Sequence, residues 1–287
     1  MFRLLKQTRS IVMIPVDIVL QGPLQPYTAR IADHYTKLPY VNAVVISCWE
    51  TCPDINDSMI DWENPKIYVL KNKDVEFPGS WNRNRLIKSS YEGIKATAAD
   101  YVIKMRADQI VSLESMLRLY DYYFSKNEIN SEYFQEGPKP FTKIGIMGMC
   151  RDYPYHPIDH IFWGRKEDLL TLFGIEHDTS WYDEAALQRP YEELYTRSEV
   201  YLTTPYVAKY NQEAAKHLTD PDTYLKDKAP KVSEALHTSQ EVMEELFLLF
   251  PKIQMQWPKN GMPQYHYDVM ETERGGHAYW ATDDDFS

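Results

Sequence analysis

The sequence predicts an α/β protein with a mostly parallel central sheet, helices on its flanks and a more helical C-terminal part. Three observations predict it. Short β-branched apolar runs alternate with helix-period segments from Val16 to Phe124. Those runs are apolar at most positions rather than at alternate ones, as in strands covered on both faces. Beyond Lys166 the pattern turns chiefly helical.

Val16-Asp-Ile-Val-Leu20 reads as a first strand, stopped by the turn Gln21-Gly22-Pro23. Thr28 is placed to cap a helix running to Lys37. Ala43-Val-Val-Ile-Ser47 and Lys66-Ile-Tyr-Val-Leu70 read as the second and third strands. From Asn82 to Thr97, Leu86, Ile87, Tyr91 and Ile94 fall on one side of a helix. Tyr101-Val-Ile-Lys-Met105 is a fourth strand, and Leu113 to Phe124 the helix after it. Ile144 to Met149 and Ile161 to Trp163 read as further strands. Lys166–Phe173, Pro190–Tyr201 and Gln240–Phe250 read as helices. The polar stretch from Asn211 to Lys231 is expected to be loop-rich. Residues 1–205 then form the main domain, and 206–287 a helical or irregular extension packed on it.

Composition excludes some partners. The chain has 287 residues and a net charge of −11, which disfavours a nucleic-acid backbone or an anionic membrane surface. An anionic small molecule would need cations gathered locally. The three cysteines, Cys48, Cys52 and Cys150, are too few for a disulfide framework or a zinc site, and read as free thiols in a reducing cytoplasm. Phe2 to Arg9 is basic and precedes an apolar run, faintly like a signal peptide. Asp17 breaks that run, no small-residue cleavage site follows, and the run is too short to span a bilayer. The 22 tyrosines suit sugar stacking or core filling equally. No P-loop, G-x-G-x-x-G, H-E-x-x-H or G-x-S-x-G occurs, which counts against NTPases, dehydrogenases, zincins and α/β-hydrolases.

Ligands of open α/β sheets bind beyond the carboxyl ends of the strands. Three such ends are polar here: Gln21-Gly22-Pro23, Ser47-Cys48-Trp49-Glu50 and Arg106-Ala107-Asp108. A carboxylate like Asp108 can hold a divalent ion that bridges two phosphates. Arg106 can fork onto a phosphate or anchor Asp108; the bland alternative is a plain salt bridge. From Trp81 to Asp108, six cations (Arg83, Arg85, Lys88, Lys95, Lys104, Arg106) face three anions (Glu92, Asp100, Asp108), a local excess of three. Lys104 is unusual because it sits inside an apolar strand. In His156-Pro-Ile-Asp159-His160, Pro157 argues against a helical pair of histidine ligands, and Asp159 suits a sugar contact better. Glu199, among Tyr195, Tyr201 and Leu202 on a predicted helix, is a candidate base.

The order of these pieces resembles the WavE family of lipopolysaccharide-synthesis proteins. The resemblance rests on Asp17-Ile-Val-Leu-Gln-Gly-Pro23, Val45-Ile-Ser-Cys-Trp-Glu50, Asn82-Arg-Asn-Arg85, Ser89-Ser-Tyr-Glu-Gly-Ile94 and Val102-Ile-Lys-Met-Arg-Ala-Asp108. It continues through Asp159-His-Ile-Phe-Trp-Gly164 and Glu199-Val-Tyr-Leu202. It spans roughly residues 16–205 and is strongest from Asn82 to Asp108. It implies a GT-A-type glycosyltransferase that moves a sugar from a nucleoside-diphosphate donor to a hydroxyl of a surface glycan or glycolipid. Peripheral membrane association would fit such an acceptor. In that architecture a D-x-D-type motif holds Mn²⁺ or Mg²⁺. Here the motif is Arg106-x-Asp108, so Asp108 is the expected metal ligand, helped by Asp159 or a C-terminal residue.

The expected nucleotide site is Gln21, Gly22, Pro23, Ser47, Trp49 and Glu50. Asn82, Arg85, Lys104 and Arg106 are expected to face the diphosphate or donor sugar. Inversion, the outcome preferred here, needs a base; Glu199 is the first candidate and Asp159 the second. Two other classes remain open. A sugar nucleotidyltransferase would usually show a basic glycine-rich loop after the first strand, and Gln21-Gly-Pro-Leu-Gln25 has no cation. A glycan-binding module would explain the aromatics but not the cations.

Overall fold

The computed structural model describes residues 13–52, 64–129, 134, 137–150, 155–179, 198–211, 239–251, 253, 255–256 and 278–279. In order these form β1 (Val16–Gln21), α1 (Thr28–Thr36), β2 (Val41–Trp49), β3 (Ile67–Asn72), α2 (Arg83–Lys95), β4 (Tyr101–Arg106), β5 (Ile110–Val111) and α3 (Leu113–Lys126). Then come β6 (Ile144–Ile146), β7 (Met149–Cys150), β8 (Ile161–Arg165), α4 (Lys166–Phe173), α5 (Ser198–Tyr210), α6 (239–246), β9 (Phe247–Leu249), β10 (Met255–Gln256) and β11 (Ala278–Tyr279).

Seven strands make one mixed, mostly parallel sheet in the order β3-β2-β1-β4-β8-β6-β9. Only β8 runs against the rest, antiparallel to both β4 and β6. This reversal matters for the site. Residues just before β8 arrive at the edge where β1, β2 and β4 end. β1 lies between β2 and β4, next to the central strand β4, and Val16, Ile18, Val19 and Leu20 are fully buried on its two faces. Asp17 is buried among them because its carboxylate accepts the Ala98 and Ala99 N–H groups and the Asn42 amide.

One face of the sheet packs on α1 and α3 through Ile31, Tyr35, Met116, Leu119 and Tyr123. The other packs on α2, α4, α5 and α6 through Ile87, Ile94, Leu172, Val207 and Leu246. Helix α2 lies very close to the strands. A Cβ on Gly93 would sit 2.5 Å from Val19 Cγ1 and 2.9 Å from Ser47 Cβ. Tyr35, Tyr123, Tyr155 and Tyr206 are fully buried, so part of the tyrosine excess is core filling.

Three local expectations are corrected. Thr28 does not cap α1: its hydroxyl accepts the Gln25 N–H and donates to the Ala107 carbonyl, tying α1 to the end of β4. The helix expected to reach Phe250 ends at 246, and Phe247–Leu249 instead pair with β6. A short apolar run is ambiguous between helix and strand, and the free edge of β6 decides it. The helix expected to end at Tyr201 runs on to Tyr210, with Pro205 inside it. The Thr203 and Thr204 hydroxyls bond back to the carbonyls of Glu199 and Val200. The expected helix over residues 190–197 and the loop from 212 to 231 lie outside the described residues.

Candidate active site

The parallel strands deliver Gln21, Ser47 and Arg106 to one edge, in register: Gln21 opposes both Ser47 and Arg106. Gln21 and Ser47 point to the α2 face, but their side chains are committed internally. The Gln21 amide donates to Ser89 Oγ at 2.9 Å, and Ser47 Oγ donates to the Ser89 carbonyl at 2.6 Å. Asn72 donates to Ser47 Oγ and the Cys48 carbonyl. These bonds pin α2 across the ends of β1, β2 and β3. Trp49 is buried, Glu50 is exposed, and Gly22, itself buried, begins the bend after β1. Gly22 adopts φ +126°, which only glycine takes readily, and the space where a Cβ would project is open. A ligand can therefore come close to the backbone here.

The entry to α2 is strained. Trp81 and Asn82 both have left-handed backbones, at φ 56° and 59°, and Trp81 is exposed. Arg83 and Asn84 face inward. Arg83 is buried against Asp178 at 3.2 Å and lies over the Tyr201 ring at 4.8 Å. Asn84 exchanges two hydrogen bonds with the Asp178 backbone. Arg85 grips Asp74 through Nε and Nη2 at 3.0 and 2.6 Å and also donates to Asn82 Oδ1. The cationic stretch is thus largely neutralised. Arg83, Arg85 and Arg106 pair with Asp178, Asp74 and Asp108, and Lys95 lies 3.9 Å from Glu92. Asp74 and Asp178 come from outside the stretch where the charges were counted.

A second cluster lies at the end of β4. Arg106 donates from Nε and Nη2 to the two oxygens of Asp108, at 3.0 and 2.8 Å. Its Nη1 lies 3.7 Å from Asp159 Oδ2, too far for a hydrogen bond. Two residues inward on the same face of β4, Lys104 is fully buried. Its Nζ donates to the Asp159 carbonyl at 2.9 Å and lies 5.4 and 5.8 Å from the Phe162 and Phe173 rings. The reversed strand β8 brings in Asp159 and His160. Glu199, on the first turn of α5, lies 3.4 Å from His156 Nε2. The buried Gln109 amide meets His160 Nδ1 at 2.5 Å. The Tyr27 hydroxyl is buried without a hydrogen-bond partner among the described residues.

Burial and charge set the protonation states. Burial pushes the Lys104 ammonium down to about 8, although Asp159 draws it up. Burial pushes His160 down to about 4, so it is neutral at pH 7. Burial works to raise Asp108, but the hydrogen bonds and charge of Arg106 outweigh it and hold the carboxyl below its usual range. Asp159 behaves alike: burial opposes, and His160, Lys104 and Arg106 together prevail.

The structure therefore gathers Lys104, Arg106, Asp108, Asp159 and Glu199 into one cluster. Asn82 and Arg85 belong with Asp74, and Gln21 and Ser47 with the α2 anchor. Sequence reasoning missed Asp74, Asp178, Tyr27 and Gln109. Only their charge or polarity marked them, and nothing local marked their partners. Among the described residues no three His, Cys, Asp or Glu side chains come together as a metal site would require, and no helix is long and apolar enough to cross a membrane.

A family model described as WavE lipopolysaccharide synthesis matches residues 16–216. No curated protein matches the chain. Among solved structures, it resembles 4-diphosphocytidyl-2C-methyl-D-erythritol synthase from Anaerococcus prevotii at 12% identity and TM-score 0.38, over 65% of this chain and 84% of that one. It also resembles HddC from Yersinia pseudotuberculosis at 13% identity and TM-score 0.37, over 58% and 82%. Likeness of this degree bears on neither activity nor ligand.

Proposed function

The chain belongs to the WavE lipopolysaccharide-synthesis family, and we propose that within it the chain is a glycosyltransferase of GT-A type. The donor would be a nucleoside-diphosphate sugar, and the acceptor a hydroxyl of a growing surface glycan or glycolipid. One observation carries this reading. Three sequence-distant segments, 104–108, 156–160 and 199, converge on the strand-end edge and assemble two carboxylates, Asp159 and Glu199, beside a guanidinium. A buried ionic cluster at that edge is costly to assemble and is a mark of a working site.

In the inverting route the acceptor oxygen attacks the anomeric carbon. The bond from that carbon to the β-phosphate oxygen breaks, and the diphosphate departs with the electron pair. The acceptor proton passes to Glu199, on the far side from the leaving group. Arg106 faces the developing negative charge with its Nη1. The open space at Gly22 lets the nucleotide meet the backbone of the first strand end. Lys104 fixes the Asp159 loop through its carbonyl.

The residues fit a divalent cation poorly. Both oxygens of Asp108 already accept from Arg106. An ion bonded to either would lie roughly 4.5 Å from the guanidinium, and at an effective dielectric of about 20 the repulsion is ~7 kcal/mol, against ~12 kcal/mol of attraction to the carboxylate.

The reading is tested by incubating the chain with a panel of nucleotide sugars and following both melting temperature and release of nucleoside diphosphate. Stabilisation by at least one nucleotide, with turnover that rises on adding lipopolysaccharide core acceptors, is expected. A panel that neither stabilises the chain nor is consumed would refute the transferase reading.

A further inference from the structure

We propose that Arg106 stands in for a divalent cation, so that this site binds the donor diphosphate without metal. The proposal rests on the transferase reading above and makes it more specific. The first acidic position of a D-x-D-type motif is here a guanidinium. It does not project idly: it closes a two-pronged pair on the one acid that remains, through Nε and Nη2. That pair uses the ligand capacity of Asp108 and places a positive charge where an ion would have to sit. The repulsion removes more than half of the attraction a carboxylate offers such an ion.

The same pair orients the remaining prong. With Nε and Nη2 held by Asp108, the guanidinium plane is fixed and Nη1 makes no hydrogen bond within range among the described residues. The side chain is 38% exposed, and Nη1, 3.7 Å from Asp159 Oδ2, keeps its donor capacity for a ligand. A phosphate oxygen is the acceptor that a fixed guanidinium prong suits. Asp108 is then a positioning residue for Arg106. The departing diphosphate gains its charge against the guanidinium rather than against an ion.

The test uses the full chain. Uridine, guanosine and cytidine diphosphates are titrated calorimetrically, first with excess EDTA and then with excess Mn²⁺. Dissociation constants that agree within about threefold are expected. Binding seen only with Mn²⁺, or tighter with it by more than about tenfold, would overturn the proposal and leave the transferase reading standing. Absence of binding under both conditions would overturn both. Paramagnetic resonance adds a readout independent of activity. Wild-type chain with nucleotide should leave the free-Mn²⁺ signal equal to that of nucleotide alone, and a lower signal counts against the proposal. Arg106→Lys, which lacks the fork, should weaken diphosphate binding at least about tenfold, with no rescue by Mn²⁺. Arg106→Asp, if folded by circular dichroism, should now capture Mn²⁺; a folded variant that still ignores it counts against the proposal. Should either variant fail to fold, the wild-type EDTA comparison decides alone.

Discussion

Replacing Lys104 with methionine should stabilise the fold while impairing the site. Lys104 is fully buried among aromatic rings, and its ammonium is held at about 8 rather than the ordinary 10.5. That gap of 2.5 corresponds to about 3 kcal/mol spent at pH 7 to keep the charged form buried. The direction with pH follows from the depressed value. Between pH 8 and 10.5 the unfolded chain binds more protons than the folded one, so the cost is full below pH 8 and fades as pH rises. A thioether at this position carries no charge, so Lys104→Met removes that cost. Against this stands the lost bond to the Asp159 carbonyl, about 1 kcal/mol; the attraction to the Asp159 carboxylate is already contained in the depressed value. That carboxylate is not orphaned, because the Arg106 guanidinium remains beside it. A net gain of about 1–2 kcal/mol remains, or roughly 2–8 °C in melting temperature. Calorimetry of both proteins at pH 7 and pH 10 isolates Lys104, since every other group is common to both. The gain should be large at pH 7 and shrink at pH 10. A variant that melts lower at pH 7, or a difference that ignores pH, would refute the reasoning. Donor turnover should fall at least about tenfold, because the loop carrying Asp159 loses its brace.

Other outcomes follow from the same geometry. Gly93→Ala should destabilise by about 1–3 kcal/mol, since the added methyl meets Val19 and Ser47 at 2.5 and 2.9 Å, and urea midpoints measure it. Glu199→Gln should abolish sugar transfer while leaving nucleotide binding intact by calorimetry; loss of both would assign Glu199 a structural role. Asp108→Asn separates two accounts by metal response. If Asp108 positions Arg106 through both oxygens, the variant weakens nucleotide binding equally in EDTA and in Mn²⁺; if it holds a metal, the loss appears only with Mn²⁺. Diphosphate affinity should decline as pH rises through about 8, where Lys104 sheds its proton; a flat profile from pH 7 to 9.5 would exclude Lys104 from the charge seen by the donor.

The fold was largely readable because its core strands are apolar on both faces and separated by helix-period segments. Val16 to Leu20, Val44 to Ser47 and Tyr101 to Met105 announce themselves by composition alone. What failed was decided by long-range pairing. Phe247 to Leu249 continue a helical pattern in sequence, yet the unpaired edge of β6 takes them as a strand. Thr28 looks like a cap, but the Ala107 carbonyl, 79 positions away, claims its hydroxyl.

The strand ends that carry the candidate site were readable in the sequence; their electrostatics were not. Strand ends are visible in a sequence, and with them Gln21, Ser47 and Arg106. Charge pairing is not, because it depends on which distant loops close over the strand ends. Counting cations from Trp81 to Asp108 gave an excess of three, and Asp74 and Asp178 cancel two of them from outside that window. Proximity along the chain therefore overstated the field available to an anionic ligand. The surviving donor is narrower and better defined: one prong of Arg106, fixed by Asp108, at the edge where the reversed strand β8 also brings Asp159. A wholly parallel sheet would place the start of that strand, and Asp159 with it, at the opposite edge. The single antiparallel strand is what lets an acid fifty-one positions from Asp108 share its site, and no local pattern in the sequence specifies that reversal.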